Sequence, residues 1–585
     1  MLPKVAQFFQ RERAEVLRVA LVAALVLAFA APVGATPPSE IELDRMIEQM
    51  TLREKIGQMM MVGFGGTRVN SQVRKWVRDH KVGGVALFAR NIETTDQVAR
   101  FTRGIHREAR NGLPVFVALD QEGGNVVRLK KGATVLPGNM TLGATGSSTL
   151  AYVAGQAVGV DLKHLGFNMN LAPVLDVNSN PNNPVIGIRA YGEHPKLVGD
   201  LGSWYVRGQQ EAGIAGVAKH FPGHGDTQSD SHFSMPSISA DIERLRSVEL
   251  VPFQRAIDAG LDAIMTAHIA LPNAAEDPGL PATLSARLIS EELRDRMGFE
   301  GIVMTDGLEM RGIVDRYGSG MAAVRAVQAG ADMAMILWTN VKKDEVFRSL
   351  LRAVQRGDIT ESRIDQSVKR ILRVKARRGM FDRELTPLSQ VIEGGNRNPL
   401  HRRIAERIAT EGTTLVRNHA DMLPLHPVRH RRVAVMAPPG AFARRMARED
   451  NVKLFKVPYV PSRERRRRDV RRIIRHARNA DVLVVVAVNR YHISMIRQVM
   501  AGLPNIPVTL VSFASPYYLR SLPSVESYVC TYSYQASAQM AAARGILGLE
   551  PMRGRLPVHI PGFYPYGHRA EQHVATLPLD ADHLH

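Results

Sequence analysis

Within fourteen residues the chain places Lys219, His220, His224, Asp226, Asp230 and His232, with Pro222, Gly223 and Gly225 as breakers among them. A short apolar run, 216–218, comes just before, so the segment reads as a loop leaving the end of a buried strand. Imidazoles exchange protons near neutral pH, and a carboxylate beside one can orient it. Two pairs have the spacing for this, Asp230-Ser-His232 and His224-Gly-Asp226, because residues two apart in an extended segment point the same way. Spacing alone does not choose between them. Further on, Asp306 ends the apolar run 301–305 and is followed by Gly307. A strand-end carboxylate opposite a protonated imidazole is the equipment for glycoside hydrolysis: a nucleophile for the anomeric carbon and a proton donor for the leaving oxygen.

Other chemistries fit less well. His220, His224, His232 and His268 are not spaced as His-x-His or His-Glu-x-x-His, so no metal is expected. The turn Glu122-Gly-Gly124 lacks the following Lys-Ser/Thr of a phosphate loop. A Gly-x-Ser-x-Gly elbow for a serine nucleophile is absent, and no cofactor is implied.

The elements that would hold these residues are legible as apolar runs. They fall at 59–64, 84–88, 114–119, 168–175, 216–218, 262–266, 301–305 and 332–337, separated by helical stretches. Eight uninterrupted runs suit parallel strands buried on both faces, and eight is the number that closes a (β/α)8 barrel, an α/β fold of the TIM type. Arg90, Asn91, Asp120, Asp176, Lys219, His220, His268 and Asp306 lie just past run ends. In a barrel they converge on one face, although any of them singly could cap a helix or turn. The barrel is expected over 36–385 and a linker, Gly- and Asn-rich, over 386–400. Runs at 432–436, 481–488, 507–513 and 527–532 then predict a smaller α/β sandwich over 401–566, followed by a tail over 567–585.

With 585 residues the chain exceeds one hydrophobic core, and 45% apolar with 23% charged residues is a globular composition. Cys530 is alone, which excludes an intrachain disulfide and a thiolate metal cluster. Lys4, Arg11, Arg13 and Arg18 precede the apolar run 19–31, and Val33-Gly34-Ala35 resembles a cleavage site. This predicts a signal peptide or N-terminal membrane anchor over 1–35 and a periplasmic or secreted protein. The net charge of +20 points to anionic surroundings, and export argues against nucleic acid among them. Residues 462–479 hold nine arginines, while Val470, Ile473, Ile474 and Ala477 share one helical face. A surface helix with a solvated basic side is the plain reading, and contact with an anionic wall polymer or a membrane surface is the functional one.

At its chemical residues the chain resembles the family 3 glycoside hydrolases, in their β-N-acetylglucosaminidase branch. The segments that carry this are Asp120-Gln-Glu-Gly-Gly124, Asn170-Leu-Ala-Pro-Val-Leu-Asp-Val177, Ile186-Gly-Ile-Arg189, Lys219-His-Phe-Pro-Gly-His-Gly-Asp-Thr227, Asp230-Ser-His232 and Thr305-Asp-Gly-Leu-Glu-Met310. The likeness spans the barrel and, more loosely, the second domain through Gly554-Arg-Leu-Pro-Val-His-Ile-Pro561. It implies Asp306 as nucleophile, His232 as acid/base and Asp230 as its orienting partner. It implies Asp120, Arg128, Arg189, Lys219 and His220 as the sugar-binding set, with His224 and Asp226 shaping the loop. Asn125 departs from the family, where Arg often follows the Gly pair. The expected activity is a retaining exo-β-N-acetylglucosaminidase acting on GlcNAc-terminated oligosaccharides, cell-wall muropeptide fragments first. The alternatives are a phosphorylase with the same dyad, a broader β-glycosidase, and a wall-binding protein with an inactive site.

Overall fold

A computed structural model of the chain describes residues 37–110, 112–231, 235–382 and 398–572. The expected signal segment, residues 386–397 of the expected linker, His232, and the tail from 573 onward lie outside the described residues. Ser39 and Thr51 open the first two helices among the described residues, Glu40–Gln49 and Leu52–Gln58, each in a capping box with the glutamate three residues on.

Eight parallel strands follow: β1 (Met60–Gly63), β2 (Gly84–Ala86), β3 (Phe116–Leu119), β4 (Met169–Asn170), β5 (Ala215–Phe221), β6 (Ala263–Thr266), β7 (Ile302–Gly307) and β8 (Met333–Ile336). They close into a barrel in which every strand neighbours the next in sequence and β8 pairs with β1. The shortest is β4, where a longer apolar run reads as strand. Pro173 has no N–H to donate, so the regular ladder ends early. Contact with β5 nevertheless continues, from Lys219 N to Pro173 O at 3.1 Å and from Leu175 N to Lys219 O at 2.7 Å.

Side chains inside the barrel and helices outside it bury both faces of these strands. Among the described residues of the eight strands, every one is buried except Asp306, which is partly exposed near the C-terminal end of β7.

The second domain is a six-stranded sheet of β9 (Thr414–Asn418), β10 (Val433–Ala437), β11 (Val452–Lys456), β12 (Val482–Ala487), β13 (Val508–Ser512) and β14 (Ser527–Cys530). Its order is β9-β14-β13-β12-β10-β11, parallel throughout except for the antiparallel pair β9–β14. Four of these strands coincide with apolar runs, and the two outermost, β9 and β11, do not. The sheet buries apolar clusters on both sides, one around Val485, Leu510 and Tyr528 and one around Val484, Val511 and Val529. Its domain rests against the barrel's C-terminal face. Thr141 Oγ1 donates to Thr531 O at 2.8 Å, Asn178 Nδ2 to Tyr517 Oη at 3.1 Å, and Glu193 N to Pro557 O at 3.0 Å.

Candidate active site

Three strand ends supply a wall of interlocked charges. Lys219, near the end of β5 and 3% exposed, places its ammonium between Asp120 Oδ1 at 2.9 Å and Glu122 Oε1 at 2.8 Å. Arg128 closes on the other oxygen of Asp120 at 2.9 Å, and Arg189 grips Glu122 with two donors at 2.9 and 2.8 Å. Burial alone would raise the Asp120 carboxyl, but the charges of Lys219 and Arg128 outweigh it and hold it below its ordinary value. Glu122 behaves likewise beneath Arg189 and Lys219. Burial would in turn lower Lys219, and the two carboxylates keep its pKa above the ordinary lysine value. Asp120, Glu122 and Lys219 are therefore charged at neutral pH. Such a fixed set of donors and acceptors suits the hydroxyls of a sugar ring, since each ion can add a hydrogen bond without rearranging.

Asp176, at the end of the β4 segment, organises the loop after β5. Its Oδ2 meets His220 Nδ1 at 2.7 Å, and its Oδ1 accepts the backbone N–H of His220 at 3.2 Å and of His224 at 2.6 Å. Gly225 packs so close to the chain after β4 that a Cβ there would stand 1.7 Å from Val177 O, so only glycine fits.

The protonation of His224 follows from its neighbours. Thr227 Oγ1 gives its proton to His224 O at 3.0 Å, so at 2.8 Å it can only accept from His224 Nδ1. Burial first, and then the nearby His220, push the His224 pKa down to about 4, so the ring is neutral and Nε2 is an acceptor. Ser231 Oγ donates to it at 3.0 Å, and Ser231 O accepts Gly312 N–H at 3.3 Å from the helix after β7. His224 is a neutral clamp on the residue that separates Asp230 from His232. With both ring nitrogens engaged, it has no proton poised for a substrate.

Asp306 stands at the end of β7, its Oδ1 accepting Gly307 N–H at 2.7 Å. A Cβ at Gly307 would face Leu337 and Met310 at 3.4 Å and 3.8 Å, so this glycine adjoins the core packing around β8. The structure thus joins Asp120, Arg128, Arg189 and Lys219 in one network through Glu122, pairs His220 with Asp176 beside it, and sets Asp306 and Asp230 at the same end of the barrel. Sequence reasoning gave Glu122 no role. The signal was its alternation with Asp120, which turns both carboxylates the same way along an extended segment.

The sequence and fold that carry this arrangement have known counterparts. A family model described as the glycosyl hydrolase family 3 N-terminal domain matches residues 51–374, more than half of the chain. The chain belongs to glycosyl hydrolase family 3. Among relatives of this glycoside hydrolase, β-hexosaminidase A of Pseudoalteromonas piscicida is 32% identical over 64% of this chain and 69% of its own. A β-N-acetylglucosaminidase/β-glucosidase of Cellulomonas fimi is 29% identical over 88% of this chain and 94% of its own. The solved family 3 β-N-acetylglucosaminidase of Paenibacillus sp. strain FPU-7 superposes with a TM-score of 0.81 at 36% identity, covering 87% of this chain and 99% of that one. The enzyme therefore shares both domains with a solved member of its family.

Proposed function

We propose that this family 3 enzyme is a retaining exo-β-N-acetylglucosaminidase that releases terminal β-linked GlcNAc, with cell-wall muropeptide fragments as its first substrates. The observation that carries the reading is Asp306, partly exposed where the rest of the barrel strands are buried. Its carboxylate attacks the anomeric carbon while His232, oriented by Asp230, protonates the departing oxygen. The glycosyl ester is then opened by water, with His232 taking the proton. Asp120, Lys219, Arg128, Arg189 and His220 bind the sugar's hydroxyl groups. The relatives named for β-hexosaminidase and β-N-acetylglucosaminidase activity support GlcNAc as the sugar.

Export through residues 1–35 belongs to the same proposal and agrees with a wall-derived substrate. So does contact of the basic helix with an anionic wall polymer or the membrane surface, since Arg467, Arg468, Arg471 and Arg475 of Arg463–His476 are exposed.

A slow fluorinated GlcNAc donor is expected to label Asp306, and the first-formed product to be the β anomer, with or without phosphate present. An α product, or a label on another residue, overturns the mechanism. GlcNAc 1-phosphate formed in phosphate buffer would make the enzyme a phosphorylase.

A further inference from the structure

Trp338 lies two residues beyond the end of β8 and is 59% exposed, among the largest exposed apolar side chains of the described chain. Its backbone is nonetheless fixed. Glu309, three residues after Asp306, accepts the N–H groups of Leu337 and Trp338 at 2.7 Å and of Thr339 at 2.8 Å. One ring contact is with Phe88, at 5.1 Å between centroids, and the Arg90 guanidinium lies over the indole at 4.1 Å and near Phe88 at 4.7 Å. Arg90 is itself held by Phe64 O at 3.0 Å and Leu337 O at 2.7 Å, and Asn91 receives Phe88 N–H at 2.9 Å. Exposed aromatics on loop ends are usually free to rotate. This one is tied to four strand ends and still presents its surface to solvent.

The platform is continuous with the sugar pocket. Arg128, which bonds Asp120, lies over Phe88 at 5.7 Å. In the barrel order, β8, β1 and β2 fill the interval between β7, which bears Asp306, and β3, which leads to Asp120. The loop after β5 rises on the opposite side. A substrate bound at Asp306 can extend only outward, because the barrel interior below is filled by buried side chains. This rim lies along one side of that outward path, where the group that follows the cleaved bond can reach it. Sugar rings carry faces of C–H groups that stack on aromatic surfaces, and a rigid indole loses little entropy in doing so.

We infer that Trp338, backed by Phe88 and Arg90, is the docking platform for the leaving sugar, the ring on the reducing side of the bond that is cut. The inference rests on the glycosidase reading and assigns that site its preference for an oligosaccharide over a simple glycoside.

The test compares two substrates that share the GlcNAc unit, chitobiose, which has a leaving sugar, and β-GlcNAc fluoride, which has none. Trp338→Ala is expected to lower kcat/KM for chitobiose by about tenfold or more, chiefly through KM, and to leave the fluoride within about twofold. Trp338→Phe should restore most of the chitobiose activity. Equal losses on both substrates, or no loss on either, overturn the platform. Tryptophan fluorescence supplies a readout free of turnover. In the Asp306→Ala background chitobiose is expected to change the emission, and Trp338→Phe to abolish that change; an unaltered change in the double variant overturns the platform. Wild-type protein inert on both substrates would instead refute the activity, and the fluorescence titration would still decide whether Trp338 binds a sugar.

Discussion

Aspartates occupy both ends of the barrel, and their surroundings differ in kind. At the N-terminal end, Asp332 precedes β8 and meets Arg370 at 3.1 Å, Arg363 at 3.6 Å and Arg294, while also accepting Ser367 Oγ–H at 2.7 Å and Val303 N–H at 2.9 Å. Asp262 precedes β6 and is held by Arg378 at 2.6 Å and Arg377 at 3.9 Å. These arginines come from or just after helices outside the barrel, so each carboxylate ties helices to strands and is sealed from solvent. At the C-terminal end, Asp120 and Asp176 are held by residues of neighbouring strand ends and loops, and Asp306 keeps part of its surface open. At one end the carboxylates hold the fold. At the other, Asp176 is as buried as Asp262 and Asp332 and holds a loop, whereas Asp306 and, in small part, Asp120 stay within reach of a ligand at the face where barrels carry their sites.

The sharpest way to break this contrast is at the proposed proton donor. A nitrophenolate departs without help, whereas a sugar alkoxide needs a proton. His232→Ala should slow cleavage of sugar or alkyl glycosides by on the order of 10²–10⁴-fold and spare the first step with nitrophenyl GlcNAc, where the glycosyl-enzyme should then accumulate. Asp230→Ala should follow the same trend more weakly. His224→Ala should lower activity with no leaving-group dependence, because His224 is a clamp. Steep dependence in His224→Ala with none in His232→Ala would mean that the roles of the two imidazoles are exchanged.

The opposite end should answer in the opposite currency. Asp332→Asn leaves Arg294, Arg363 and Arg370 facing a neutral group in a buried setting, which costs about 3–5 kcal/mol of stability. Denaturant unfolding should show that loss while kcat/KM of the folded fraction stays within about twofold. A catalytic defect without a stability defect would erase the distinction between the two ends.

A pH series sharpens the comparison within the catalytic face. The ring of His224 has its ordinary value of 6.5 when unfolded and about 4 when folded. Between those values the unfolded chain binds a proton that the folded one does not, so stability is full above pH 6.5 and falls as pH drops toward 4. The loss amounts to about 3 kcal/mol at most. His224→Gln keeps a hydrogen-bonding side chain and removes the titration. Its stability difference from wild type should therefore shrink or reverse between pH 7 and pH 4.5, measured by urea unfolding. A constant difference would show that the ring is not buried in its neutral form.

Sequence alone located the C-terminal ends of the barrel strands because each strand is buried on both sides and its apolar run simply stops there. The edge strands escaped for the converse reason. In Val452–Lys456 lysines interrupt the apolar residues, and Thr414–Asn418 has only Leu415 and Val416 to signal it. That Asp262 and Asp332 belong to the other end was legible in their position at the start of a run. Their arginine partners were not, since Arg294, Arg363, Arg370 and Arg378 meet them only when helices distant in sequence close over the barrel. The neutrality of His224 was equally hidden. It depends on Thr227 surrendering its proton to a backbone carbonyl, which only the folded loop specifies.

The smallest expected effect concerns the second domain, which touches the barrel's C-terminal face and transfers no proton in the proposed mechanism. Gln535 Nε2 donates to Gly124 O at 2.6 Å, steadying the turn that follows Glu122. Removing this bond in Gln535→Ala exposes one carbonyl and forfeits about 0.5–1.5 kcal/mol, so kcat/KM should fall by roughly two- to tenfold. The loss should be the same for nitrophenyl and sugar leaving groups, because the turn positions the charged wall and transfers no proton. Glu411 is a stricter control. Its carboxylate is paired with Arg407 one helical turn away at 2.7 Å, and Glu411→Gln should leave both substrates unchanged. If either variant slowed the sugar glycoside far more than the nitrophenyl one, the second domain would be part of proton transfer, and the division between a catalytic barrel and a supporting sandwich would have to be redrawn.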